Sequence, residues 1–348
     1  MKNKTTIKSF FMNILNGISV GAVVSLVPSA LLGNLMLALK PIFPLAQTVI
    51  NLTQLSMILL APISALISAR LFELTPIQSA SLALVAITGA GNWRAANGAF
   101  VFGGAGDVIN IILTLMLAVL FLKLAGNRLK AYNILLLPTL MLVIVGSISV
   151  WMFPYTSQIT SGIGALTEQI TQIQPLLMGI LMAVIFSILI VTPISTVALA
   201  LAISLSGVAS GAANLGVTAC GFTLAFLGLS ANGMGTALVH FLGSPKVQMA
   251  NIAAKPISLI PIVINAAILG GLGTIFDMKG TPLSAGFGFS GLVGPLAAYN
   301  GSDKTLAQVI IIAALFFVIP IILGLLARLI FIKKLHLFSD RDLKLDFD

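Results

Sequence analysis

Four ionisable side chains stand in surroundings that are otherwise apolar or glycine-rich: Arg94, Asp107, Glu168 and His240. A charge at the centre of a bilayer costs about 2.5–3.5 kcal/mol on insertion scales, so each is expected to face a cavity or a partner. Arg94 ends the run Thr88-Gly89-Ala90-Gly91-Asn92-Trp93-Arg94, and Asp107 follows Gly103-Gly104-Ala105-Gly106 ahead of Val108-Ile109-Asn110. A guanidinium offers a fork of donors to an anion or to sugar hydroxyls, and an indole such as Trp93 stacks on a sugar face. Asp107 with Asn92, Asn97 and Asn110 can accept hydroxyl protons. Equally, Arg94 and Asp107 can pair only to make each other tolerable, leaving Trp93 to mark the membrane interface. Both readings stand at the level of sequence.

His240 follows the polar, glycine-rich Asn232-Gly233-Met234-Gly235-Thr236. A neutral imidazole there can hydrogen-bond a solute or relay a proton, and it can also be a saturated structural group. Glu168 sits among Thr167, Gln169 and Gln172 and reads as a solvated residue; His336 lies in a basic tail and is not a ligand candidate. A second polar, glycine-bearing break is expected at Ser210-Gly211-Ala212-Ala213-Asn214. The stretch 280–295 is too rich in glycine for a long helix and too apolar for an ordinary loop. A re-entrant hairpin reconciles the two, with backbone amides at Gly288 and Gly291 open to a solute; close packing of a small-faced helix is the alternative.

The elements that must position these groups are those of a membrane protein. Hydrophobic residues make up 58% of the 348 and charged residues only 8%, against about 25% charged in a soluble domain. Long apolar runs at 18–39, 45–69, 132–153, 176–203, 256–276 and 305–332 each approach or exceed the about 20 residues of a bilayer crossing. The first run is too long for a signal-peptide core and is kept as an uncleaved helix. Lys2, Lys4, Lys8, Arg70, Lys123, Arg128, Lys130, Lys246, Lys255, Arg328 and Lys333 fall near ends that one topology places on a single side, the cytoplasm by the positive-inside bias. The net charge of +9 is therefore topology information, and no nucleic-acid partner is expected.

That topology predicts an all-α polytopic membrane protein of about ten transmembrane helices with broken or re-entrant elements, both termini cytoplasmic. A first transmembrane half, 1–155, ends at the aromatic cluster Trp151, Phe153 and Tyr155; 156–175 reads as an external linker; 176–335 forms the second half; 336–348 is a short cytoplasmic tail. Five crossings per half would set the two halves in opposite orientation, an inverted repeat, although the internal sequence markers of duplication are weak.

Much chemistry is excluded. The single cysteine, Cys220, allows no internal disulfide or thiolate pair. There is no phosphate-binding Walker loop, no zinc-binding His-Glu-x-x-His and no serine-histidine elbow, so neither a cofactor nor a metal is expected.

The run Gly89–Arg94, the turn Gly106-Asp107-Val108-Ile109-Asn110, and Gly243-Ser244-Pro245-Lys246-Val247-Gln248 followed by Ala254-Lys255-Pro256 resemble the perfringolysin O regulator-like membrane proteins. That group is classed with the enzyme IIC permeases of the sugar phosphotransferase system. The resemblance covers roughly residues 10–335. It implies a ten-helix carrier, a homodimer, that binds a sugar-like solute and delivers it inward. The chain after Lys334 is too short to fold a phosphoryl-carrying domain, so any phosphorylation is expected to fall to separate cytoplasmic subunits. The expected function is a permease for a small polar solute, not an enzyme, with a site drawn from Asn92, Trp93, Arg94, Asn97, Asp107, Asn110, Asn214, His240, Gly288 and Gly291. Two alternatives remain: a proton-coupled transporter of a small organic anion with Arg94 as clamp, and a membrane sensor read by a partner at the basic loops 123–130 or 246–255.

Overall fold

A computed structural model describes residues 6–125, 133–282 and 284–345. Lys2, Lys4, Arg128 and Lys130 lie outside these residues, and with them part of the expected basic loop at 123–130. Helices dominate: α1 (Ile7–Leu39), α2 (Ala46–Ile58), α3 (Leu60–Leu71), α4 (Pro76–Gly89), α5 (Val108–Ala125), α6 (Asn133–Leu140), α7 (Ser147–Ile170), α8 (Pro175–Leu189), α9 (Thr196–Ala202) and α10 (Gly207–Leu227). After these come α11 (Leu229–Leu238), α12 (Met249–Ala254), α13 (Leu259–Ile275), α14 (Val293–Asn300), α15 (Leu306–Ala313) and α16 (Ile319–Ala327). Wider π-type turns join α6 to α7, follow α11, join α15 to α16 and extend α16 to Lys334.

Five helical stretches are long and apolar enough to cross a membrane: Ile7–Ser29, Ile134–Ile170, Gly207–Leu227, Pro256–Ile275 and Leu306–Lys334. The pair α2 and α3, bent by 49°, would add a sixth. Helices α4, α5 and α8 are apolar but shorter than a full crossing. Two expectations need correction. The segment 156–175, read as an external loop, is helical as far as Ile170, because α7 runs through Pro154 without stopping. The polar run Ser210–Asn214 is no break: it lies inside α10, where every residue from Ala209 to Ala225 is buried. The all-α expectation fits the described residues, which carry almost no sheet: one short hairpin, in which β1 (Trp93–Ala96) and β2 (Ala99–Phe102) pair antiparallel, Trp93 opposite Phe102.

The chain divides into two compact units, Met1–Ser29 with Asn51–Ile159, and Ala30–Ile50 with Thr160–Asp348. In the first unit, α3 packs on α4 and α4 on α5. Small residues let α1 approach α3: a Cβ on Gly17 would sit 1.9 Å from Ser68 Oγ, and one on Gly21 would sit 2.1 Å from Ser64 Oγ. In the second unit α8, α10 and α13 form the centre, with Leu215, Phe222, Leu269, Phe289 and Phe316 in its core. Glycine again sets the spacing. A Cβ on Gly216 would lie 2.1 Å from the Ala183 carbonyl oxygen of α8, and one on Gly211 would lie 1.9 Å from that of Met278. Both glycines admit neighbouring backbone, Gly211 at the place where the sequence suggested a solute-lined break. Asn265 of α13 completes the centre by donating to Thr223 Oγ1 of α10 at 2.7 Å and to the Leu323 carbonyl of α16 at 3.2 Å.

Candidate functional site

In the first unit the candidate residues gather where α4 gives way to the hairpin and the hairpin to α5. A capping box starts α4: Thr75 Oγ1 accepts from Gln78 N at 3.4 Å, the Gln78 side chain accepts from Thr75 N at 3.0 Å, and Pro76 fills the first helical position. The helix stops at Gly89, where the side-chain hydroxyl of Thr114 on α5 occupies the space a Cβ would need. Asp107 then starts α5. Its N–H donates to the Ala90 carbonyl at 2.7 Å, and its Oδ1 accepts from Asn110 N at 2.8 Å, the geometry of a helix N-cap. One end of the break is thereby tied to the other.

Two asparagines complete the tie. Asn92 Nδ2 donates to the Gly104 carbonyl at 3.0 Å while its own carbonyl accepts from Gly103 N at 2.8 Å. Asn110 Nδ2 donates to the Gly89 carbonyl at 2.8 Å and to that of Ser149 on α7 at 3.0 Å. Asn92 is 8% exposed and Asn110 fully buried, yet the side-chain oxygen of each has no hydrogen-bond partner among the described residues. Asp107, between them in sequence, is half-buried. The region thus presents acceptors in surplus and few free donors.

The hairpin itself carries Arg94 on an exposed position opposite Val101, and no ion pair joins it to Asp107 among the described residues. The expected Arg94–Asp107 pair is therefore not formed; a guanidinium facing outward from a strand needs no buried counter-ion. Asn97 and Gly98 make the turn, with φ of 51° and 77°. Both central residues of a tight hairpin turn must enter the left-handed region, which accounts for Asn-Gly at this point without any ligand role. Trp93 rests on Phe100 at 6.0 Å between centroids and directs Nε1 to the Thr88 carbonyl at 3.4 Å.

The second unit holds a different constellation. Asn214 of α10 donates to Ser284 Oγ at 3.0 Å and accepts from Gly288 N at 3.3 Å, so its side chain pins the glycine-rich stretch. Gly288 has φ of 60°, and a Cβ there would lie 2.8 Å from Thr218 N. From Ser284 to Phe289 the stretch is a series of turns, then a short helical turn at Ser290–Leu292 leads into α14. Gly286, Gly288 and Gly294 serve close contact, and Gly291 takes a left-handed φ of 55°. His240 is fully buried: Nδ1 meets the Ala237 carbonyl at 3.2 Å and Nε2 meets Gln248 Nε2 at 3.0 Å. That pattern requires a neutral ring protonated on Nδ1, with both nitrogens in use.

Lys246, counted above among the cytoplasmic basic residues, is only 5% exposed and is the residue that sequence reasoning misplaced. Its Nζ donates to the carbonyls of Thr192 and, at 3.0 Å, Ile194, in the irregular chain that follows α8. The signal available was Ser244-Pro245, a cap and a first-turn proline that begin the helical turn Pro245–Gln248, all four residues of which are buried. The hairpin was also missed, although Asn97-Gly98 between Trp93–Ala96 and Ala99–Phe102 is a strong short-range hairpin signal. Of the ten candidates, Asn92, Trp93, Asp107 and Asn110 are gathered about the break in one unit; Asn214, Gly288 and His240 are absorbed into the framework of the other, where Gly291 takes a left-handed position in the turn before α14. Arg94 and Asn97 stand on exposed hairpin positions.

A family model described as "Phosphotransferase system, EIIC" matches residues 12–345. The chain belongs to that family. No curated protein and no solved structure matches it. Membership makes this EIIC protein a membrane permease component of sugar uptake, the part that carries solute rather than the phosphotransferase itself. The apolar helices agree with a multi-pass membrane location.

Proposed function

We propose that this EIIC protein moves a small polar solute, a sugar or sugar derivative, into the cell, and that Asn92, Asp107 and Asn110 read its hydroxyls, with Trp93 beside them. One observation carries the reading: the side-chain oxygens of Asn92 and Asn110 are buried and unpartnered on either side of the Asp107 cap. A buried acceptor left without a donor costs about 1–3 kcal/mol, and sugar hydroxyls are donors. Asn214, His240, Gly288 and Gly291 then belong to the framework. The short helices α4, α5 and α8 complete crossings together with the irregular chain that adjoins them, giving about ten crossings with both termini cytoplasmic. The protein works as a homodimer, and separate cytoplasmic subunits supply any phosphoryl group.

Thermal stabilisation of the detergent-purified protein across neutral sugars, sugar acids and small organic anions tests this, because a ligand that binds only the folded state raises its stability. A neutral sugar that stabilises the wild type and, at equal concentration, stabilises Asp107→Asn less supports the reading. Stabilisation equal in both removes Asp107 from the site.

A second reading has its own observation. Lys246 is buried with no carboxylate within ion-pair distance among the described residues, and a buried cation held only by carbonyls favours an anionic partner. In that case an organic anion stabilises the protein and Lys246→Met abolishes the effect.

A further inference from the structure

The charged segment after the last helix, Asp340-Arg341-Asp342-Leu343-Lys344, has the composition of a solvated tail, yet it is docked. Leu343 is fully buried and Phe338 is 5% exposed. Ser339 starts a short turn, its N–H donating to Asp342 Oδ2 at 2.8 Å, and this delivers the following main chain to three carboxamide side chains. The Leu343 carbonyl accepts from Asn232 Nδ2 at 2.9 Å and from Gln248 Nε2 at 2.8 Å. The Lys344 carbonyl accepts from Asn251 Nδ2 at 2.8 Å, and Leu345 N donates to Asn232 Oδ1 at 2.7 Å. Lys255 adds a partly exposed ion pair to Asp342 at 3.8 Å.

These three amides come from two stretches, Asn232 from α11 and Gln248 with Asn251 from the start and middle of the turn-and-helix at 245–254. They read backbone rather than side chains, as a sheet edge reads an added strand. The segment they belong to has its own hinge: Gly233 takes φ 72° and ψ 174° inside α11, and among the described residues nothing beyond the local helix and the chain neighbours lies within 4 Å of where a Cβ on Gly233 or Gly235 would be. Gln248 also meets His240 Nε2, so one chain of hydrogen bonds runs from Leu343 through Gln248 to the imidazole.

We propose that residues 338–345 are a strap, that Asn232, Gln248 and Asn251 are its main-chain-reading dock, and that occupancy of the dock holds segment 229–254 closed on α10. The segment closes there through Phe241, which stacks on Phe222 at 4.2 Å, and through the His240 carbonyl, which lies against Gly221. Release of the strap frees the part of the segment beyond the hinge, 234–254, to turn about Gly233. That this motion belongs to the transport cycle rests on the permease reading; the docking itself does not.

Two variants test it: the chain ended after Phe338, and the full chain carrying Asn232→Ala with Asn251→Ala, which removes two of the three dock amides, and with them the Asn251 Nδ2 bond to Gln248 Oε1 at 2.7 Å, and keeps Gln248 itself. Amide hydrogen exchange by mass spectrometry in detergent reads local opening. The expected result is exchange at least about tenfold faster across 229–254 in both variants, with α13 unchanged. Unchanged exchange in the double variant overturns the strap. Exchange raised equally in α13 also overturns it, because 338–345 is then part of the common core. Solute uptake into vesicles is read alongside, and a several-fold change in turnover is expected. Faster local exchange with unaltered uptake keeps the dock and overturns its role in the cycle. A protein that takes up no solute in any form, wild type included, refutes the permease reading and leaves the exchange result to decide the strap.

Discussion

Asp107 offers a separation between a helix cap and a solute-reading carboxylate. It accepts the Asn110 N–H at 2.8 Å, and an asparagine in its place would cap α5 about as well. Losing the negative charge at the helix N-terminus costs about 0.3–1 kcal/mol. Asp107→Asn should therefore unfold within about 1 kcal/mol of wild type, whereas Asp107→Ala, which also loses the acceptor, should fall about 1–2 kcal/mol. Solute binding should order the variants differently. A hydroxyl bonded to a charged acceptor contributes about 1.5–3 kcal/mol, and the neutral bond that Asn could keep returns about 1 kcal/mol. The net loss of about 0.5–2 kcal/mol is roughly a 2- to 30-fold weaker Kd for Asp107→Asn. Isothermal titration of a stabilising sugar, with thermal unfolding measured in parallel, checks both quantities on the same preparation. If Asp107→Asn binds as wild type while Asp107→Ala is destabilised, the residue is a cap and nothing more, and the proposed site loses its only charged acceptor.

Asn110→Ala strips the Gly89 carbonyl of its donor at the end of α4 and removes one bond to Ser149. It should destabilise the protein by about 2–3 kcal/mol, and wild-type melting would show that water replaces the amide. Gly288→Ala combines a left-handed backbone with a Cβ 2.8 Å from Thr218 N. Gly98→Ala has a similar backbone and open space, so the first should cost about 1–3 kcal/mol more than the second in denaturant unfolding. Lys246→Met leaves the Thr192 and Ile194 carbonyls without their ammonium. Binding of a neutral sugar should survive it, and binding of an anion should not, as read by the same thermal assay. Arg94→Ala should change stability by less than about 0.5 kcal/mol, since the side chain is exposed; a larger loss would reveal a contact that the hairpin geometry does not provide.

Composition and apolar run length determined the class of this molecule: a chain with 58% hydrophobic residues and repeated runs near 20 residues has to satisfy its backbone inside a bilayer with helices. Local chemistry was legible too, at the glycine-rich interruption before Asp107, because breaks are encoded within a few residues. What only the tertiary structure decided was the meaning of each small or polar residue. Gly211 and Asn214 read as a gap and proved to be packing and a pin, because a glycine in sequence does not say whether solute or another backbone fills its missing Cβ. Lys246 read as a surface charge and proved buried, and the polar residues 340–345 read as a free tail and proved docked, because their partners lie about fifty residues away in the first case and about a hundred in the second. Hydropathy reports how much surface a chain must hide from water; which group satisfies which is set by contacts distant in sequence, and these exist only once the helices have packed.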